Sequence, residues 1–169
     1  MKRVSHLAIT ALIAALATGC AARSRMGEAV VTQSGSQPCF GLESTAATRL
    51  GQHKLWSIAV YQRSADKPQP VWVFTLAPQA QALLMTPPIC VVYGQAPAHA
   101  AVSTAPAPLQ PGLVYSVSVG ARGTDASDPT LSYSGEFCLT RKGNQQVSVH
   151  QVQWDAEASK WQRDVCLEN

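Results

Sequence analysis

From residue 38 onward, apolar positions come in short runs of Val, Ile, Tyr, Trp and Phe bounded by Pro, Gly, Asn and Asp, the signature of strands and turns. The runs are Pro38 to Leu42, Lys54 to Gln62, Pro70 to Ala77, Pro88 to Tyr93, Leu113 to Ala121, Thr130 to Arg141, Gln145 to Trp154 and Ser159 to Leu167. Leu113, Tyr115, Val117, Val119 and Ala121 alternate with smaller or polar residues, as a half-buried strand requires. Trp72-Val73-Phe74 puts bulk on both faces, and the phase slips between Val149 and Val152, which predicts a bulge at His150-Gln151. Lys142-Gly143-Asn144 and Asp155-Ala156-Glu157-Ala158 read as hairpin turns. The Ala/Pro-rich segment Gln95 to Pro108 reads as an irregular crossing or a binding loop, and Gln79 to Met85 as a helical turn. The fold class is all-β: an immunoglobulin-like β-sandwich with an added C-terminal hairpin.

The first residues follow a different pattern. Lys2 and Arg3 precede an apolar run, Leu7 to Leu16, too short to span a bilayer, and Ala17-Thr18-Gly19 leads directly to Cys20. Residues 1–19 therefore read as an export signal cleaved before Cys20, whose thiol and new amino group take lipid. The expected address is the periplasm, with the anchor in the inner leaflet of the outer membrane, since no aspartate follows the cysteine. Residues 20–36 are short of large apolar side chains, with one β-like stretch at Ala29-Val30-Val31-Thr32, and read for the most part as a flexible tether, leaving residues 37–169 as one domain. Two of the 13 Lys and Arg lie in the signal while all 10 acids follow it, so the exported part carries a net charge of only +1. That balance argues against nucleic acid as a partner.

Cys39, Cys90, Cys138 and Cys166 form an even set in an exported chain, which predicts two disulfides. Three pairings are open. Cys138 and Cys166 each sit out of phase with the apolar residues around them, which favours joining these two and leaves Cys39 for Cys90. The cysteines are scattered, without the close pairs of a zinc site, so no metal or other cofactor is expected.

Leu109-Gln110-Pro111-Gly112-Leu113-Val114-Tyr115, running on to Ala121, resembles the corner and following strand of fibronectin type III domains. The resemblance implies a turn set by Pro111 and Gly112, with the Tyr115 hydroxyl folded back on the corner backbone. A broader pattern joins the lipid cysteine, Cys39-Phe40, the Trp/Val/Phe strand, Pro88-Ile89-Cys90-Val91-Val92-Tyr93-Gly94, the Pro-Gly-x-x-Tyr corner and Tyr133-Ser134-Gly135-Glu136-Phe137-Cys138. Together these resemble a family of small periplasmic lipoproteins described as immunity proteins of type VI secretion systems. The resemblance implies a protein partner, a secreted antibacterial toxin that is bound and neutralised. Residues 142–169 extend beyond it.

Catalytic signatures are scarce: the chain has no Gly-x-Ser-x-Gly, His-Glu-x-x-His, phosphate-loop or dinucleotide-binding motif. His53, His99 and His150 read as surface or loop residues, and Asp125 and Asp128 as a polar turn with too few acids for calcium. The expectation is a binding protein and not an enzyme. Candidate partner-binding residues are Arg122, Asp125 and Asp128 in an end loop, and Trp154, Trp161 and Arg163 around the last turn. The two indoles also suit closing the bottom of the sandwich. An accessory part of an envelope assembly is the alternative function; a wall hydrolase or sugar-binding module, using Asp125, Asp128 or Glu136, is a third.

Overall fold

The computed structural model describes residues 25–79, 81–142 and 146–167. The expected signal segment and Cys20 lie outside them, as do Gly143 and Asn144 of the first expected turn and Gln145 after it. Among the described residues there are twelve strands: β1 (Arg25–Ser34), β2 (Gln37–Leu42), β3 (His53–Gln62), β4 (Gln69–Leu76), β5 (Leu84–Met85), β6 (Val91–Val92), β7 (Ala100–Thr104), β8 (Val114–Arg122), β9 (Thr130–Lys142), β10 (Gln146–Val152), β11 (Trp154–Asp155) and β12 (Lys160–Trp161). One helical turn, α1 (Ala46–Leu50), is capped by Thr45, and a 3-10 turn spans Arg163–Cys166.

Ten strands form one mixed sheet in the order β6-β2-β1-β9-β8-β3-β4-β7, with β10 also on β9 and β5 on β3. The sheet curls over itself: Phe40 of β2 lies 5.4 Å from Phe137 of β9 and 6.4 Å from Trp72 of β4, and Tyr93, just past β6, lies 5.2 Å from Trp72. Aromatic rings from both ends thus fill the space between two layers, giving the all-β, sandwich-like fold that the alternation predicts. Ile58, Val60, Phe74, Tyr115, Val117, Val119 and Tyr133 complete a continuous core.

The curl depends on β1, which serves both layers. Arg25 to Glu28 pair in parallel with β9, whereas Ala29 to Ser34 pair antiparallel with β2. The edge of β9 that β1 abandons is taken up by β10, from Glu136 onward. The handover falls at Gly135, where a Cβ would stand 2.7 Å from the Ala29 carbonyl oxygen. Residues 25–34 of the expected tether are therefore a strand of the domain: the β-like stretch Ala29 to Thr32 extends in both directions, and Ala29 and Val31 find buried places in the core.

Other local expectations are corrected. No bulge occurs at His150-Gln151; β10 pairs with β9 in unbroken register. The apolar phase changes because the strand has two buried faces: Val147 and Val149 pack on the main core, while Val152 joins Cys138 and Cys166 in a second cluster. The segment 79–85 contributes β5, paired with His53 and Lys54, instead of a helical turn. Part of the expected crossing 95–108 is β7, paired with β4. The run Ser159 to Leu167 is strand only at Lys160–Trp161 before the 3-10 turn.

Both disulfides are closed, Cys39–Cys90 and Cys138–Cys166, the pairing that alternation favours. Cys138 is fully buried, because the C-terminal segment lies over the outer face of β9. Two such bridges belong to an oxidising compartment outside the reducing cytoplasm. Among the described residues no helix is long and apolar enough to cross a membrane.

Candidate interaction surface

Side chains alternate across each strand, so the residues between the buried ones define the outer face of the sheet. In β8 the core takes Tyr115, Val117, Val119 and Ala121, which leaves Ser116, Ser118, Gly120 and Arg122 outside. Register then aligns rows across four adjacent strands. One runs Ser57, Gly120, Ser132, Met26, and the next Ala59, Ser118, Ser134, Glu28. The result, across β3, β8 and β9, is a stretch of small side chains.

Large exposed residues stand on both sides of it. Trp56 sits at a bulge in β3, 49% exposed, with its indole lying across Gly120; a Cβ there would be 2.5 Å from the ring. On the opposite side Met26 is 64% and Trp154 52% exposed, lining one groove of about 390 Å³ with Gln153 and Trp161. The Ser134 hydroxyl donates to the Met26 sulfur at 3.1 Å. Three strand spacings, roughly 14 Å, separate β3 from β1.

The C-terminal hairpin is held on this side of the sheet by covalent and ionic links. Trp154 and Trp161 are cross-strand partners, edge to face at 5.4 Å, and Trp161 packs on the Cys138–Cys166 cluster. Asp155 closes the turn by accepting from the N–H groups of Glu157 and Ala158. Arg163 donates two bonds to the buried Glu136 carboxylate, at 2.8 and 3.0 Å, and Arg63 makes an ion pair with the same group at 2.9 Å. Its bonds to Glu136 raise the Arg163 pKa above its usual value. Arg163 is thus tied to Glu136 while its side chain stays 40% exposed.

At the far end of β8 the loop residues also serve the fold. Asp125 accepts from the N–H and hydroxyl of Ser127, and Asp128 accepts from the Thr130 N–H. Hydrogen bonding from Thr130, aided by His53, holds the Asp128 carboxyl below its usual range. His53 is not a surface residue: it is buried beside Gly51, Gly123 and Tyr133, its Nε2 3.6 Å from Asp128. The expected tyrosine corner is present, with Gly112 at φ +78° and the Gln110 N–H donating to the Tyr115 hydroxyl at 2.8 Å. His150 meets the Thr140 hydroxyl at 2.9 Å and His99 lies in an exposed turn, far apart in the register from His53.

Arg122 does face solvent, in a groove of about 490 Å³ with Lys54 and Trp56. Sequence reasoning missed Trp56 and Met26. Trp56 reads there as one more apolar residue of a strand, and Met26 as part of a tether. In sequence Trp56 is in phase with the buried Ile58 and Val60, and only the bulge between Leu55 and Ser57 turns it outward, so periodicity carried no signal for it. Fold and surface together define a disulfide-bridged all-β protein with an aromatic-flanked outer face. No protein-family model, no curated protein and no solved structure matches the chain.

Proposed function

We propose that this protein is a non-enzymatic, lipid-anchored periplasmic protein that binds and neutralises a secreted antibacterial toxin through the outer face of strands β3, β8, β9 and β1. One observation carries the choice of surface: two half-exposed indoles, Trp56 and Trp154, flank a stretch of small serine and alanine side chains. Tryptophan and methionine are favoured anchors of protein interfaces, and small side chains lose little rotamer freedom when a partner covers them. Strand pairing beneath and the disulfide beside it keep the face rigid, which lowers the entropic cost of binding. The class of partner comes from the resemblance in the cysteine and corner pattern, and the anchor from the signal ending at Cys20.

The test is to direct candidate secreted toxins, beginning with the product of the neighbouring gene, to the periplasm of a sensitive cell, with and without the protein. Protection by the wild type and its loss in a folded Trp56→Ala/Trp154→Ala variant is the expected result. A wild type that neither binds nor protects rejects the toxin reading, and a double variant that protects fully rejects the surface. Deletion that disrupts an envelope assembly without sensitising cells to their siblings would favour the accessory role.

A further inference from the structure

We propose that the corner of this face formed by Lys54, Trp56 and Arg122 is an acceptor site for an acidic, apolar-tipped peptide segment of the protein partner; the inference rests on the binding role proposed above. Lys54 and Arg122 are direct partners across the β3–β8 ladder, and both line the same groove. Like charges directly opposite one another destabilise an antiparallel pair. Among the described residues, neither has a carboxylate within ion-pair distance. The nearest acid in sequence, Asp125, is already engaged by Ser127. Two adjacent cations thus stand at the mouth of a groove whose described lining contains no acid.

The rest of the lining specifies more than an anion. Trp56, Leu76 and Pro78 supply an apolar wall, and Thr124 a hydroxyl beside it. A free phosphate would leave that wall bare. Nucleic acid would call for an extended positive surface, and the exported chain is close to neutral. A segment with Asp or Glu next to Leu or Phe satisfies both halves, its carboxylate between Lys54 and Arg122 and its apolar side chain against the Trp56 indole. The cost of holding two cations together is recovered when the carboxylate arrives.

The experiment uses the acylated, mature protein in detergent micelles and two capped peptides, acetyl-Glu-Phe-Asp-Leu-amide and its Gln/Asn counterpart, titrated by calorimetry. The acidic peptide should bind at least about tenfold more tightly, and more weakly as salt is raised. Lys54→Glu should reduce that affinity by about tenfold or more while melting at or above the wild-type temperature, because it turns a repulsive cross-strand pair into an attractive one. Trp56→Ala should weaken both peptides. Equal binding of the two peptides, no binding at millimolar concentration, unchanged affinity in Lys54→Glu, or inorganic phosphate binding there as tightly as the acidic peptide would each overturn the proposal. Peptide binding without protection from toxin counts against the toxin reading alone; protection without peptide binding counts against this site alone.

Discussion

Gln33 and Gln151 each extend an amide side chain onto the other's strand, replacing the ladder bonds that β1 and β10 cannot form with their backbones. The Gln151 Oε1 accepts from the Val31 N–H at 2.8 Å while its amide donates to the Ala29 carbonyl at 3.3 Å. In return the Gln33 Oε1 accepts from the Val149 N–H at 3.0 Å and its amide donates to the Val147 carbonyl at 3.2 Å. A glutamine amide has the donor and acceptor of a peptide group on a longer arm, so it spans strands that have diverged. The pair stitches the seam where β1 turns from one layer into the other.

Gln151→Ala should therefore lower stability by about 1–3 kcal/mol, since it strips partners from a partly buried N–H at the crossover. Gln33→Ala, whose bonds are solvent-exposed, should cost about 0.5–1.5 kcal/mol. Urea unfolding of both single variants and the double one checks this. Strictly additive losses would show that the two amides act independently and would sink the idea of a joint seam.

Glu136 brings a carboxylate into a buried position on the outer face of β9, where Arg163 and Arg63 neutralise it. Glu136→Gln leaves two guanidinium groups without their counter-charge and should destabilise by about 2–4 kcal/mol. The same change should loosen the C-terminal segment, raising amide exchange at Trp161 and Gln162 before β3 or β8 responds. Uniform protection loss across the sheet would contradict this local account.

The two disulfides close loops of 51 and 28 residues. On the chain-entropy model each contributes roughly 3.5–4 kcal/mol, slightly more for the longer loop. Their structural effects should differ more than their energies. Opening Cys138–Cys166 by Cys166→Ala should release the terminal hairpin and increase solvent quenching of Trp161, with the main core retained. Opening Cys39–Cys90 frees β6 from β2 and should broaden the whole transition instead. Identical proteolysis patterns for the two variants would be the contrary result.

Stability should fall at both ends of the pH scale for separate reasons. Burial raises the Tyr93 and Tyr133 hydroxyls to about 12. Unfolded tyrosine ionises near 10, so their contribution is complete below about pH 10 and is lost as pH rises towards 12. Burial raises Tyr115 as well, so phenolate absorbance should show three groups titrating late, coincident with unfolding. Asp128 is shifted the other way, chiefly by Thr130, so its contribution holds above about pH 4 and fades as the carboxyl protonates below it. Asp128→Asn should flatten the acid limb; an unchanged acid limb would discount Thr130 and His53 as its cause.

Periodicity located β3, β4, β8 and β9 and their inward faces, because each inward residue announces itself by its own apolar character; it did not locate the full length of β1. It also located the corner, where Pro111, Gly112 and Tyr115 act through contacts a few residues apart. The disulfide pairing was half legible, since phase says which face a cysteine occupies but not what covers it. Val152 shows the limit: its out-of-step position looks like a register fault, and only the hairpin folded over β9 reveals a second buried face.

What the amino-acid order determined by itself was therefore local: strand, turn and an even set of cysteines, all set by short-range sterics and burial preference. What the tertiary structure decided was long-range. The role of β1 in both layers, the amide seam of Gln33 and Gln151, the salt-bridged Glu136 and the unbalanced pair of Lys54 with Arg122 all depend on partners far away in sequence. Such partners are chosen by how a twisted sheet curls, a geometric outcome that no stretch of local pattern encodes.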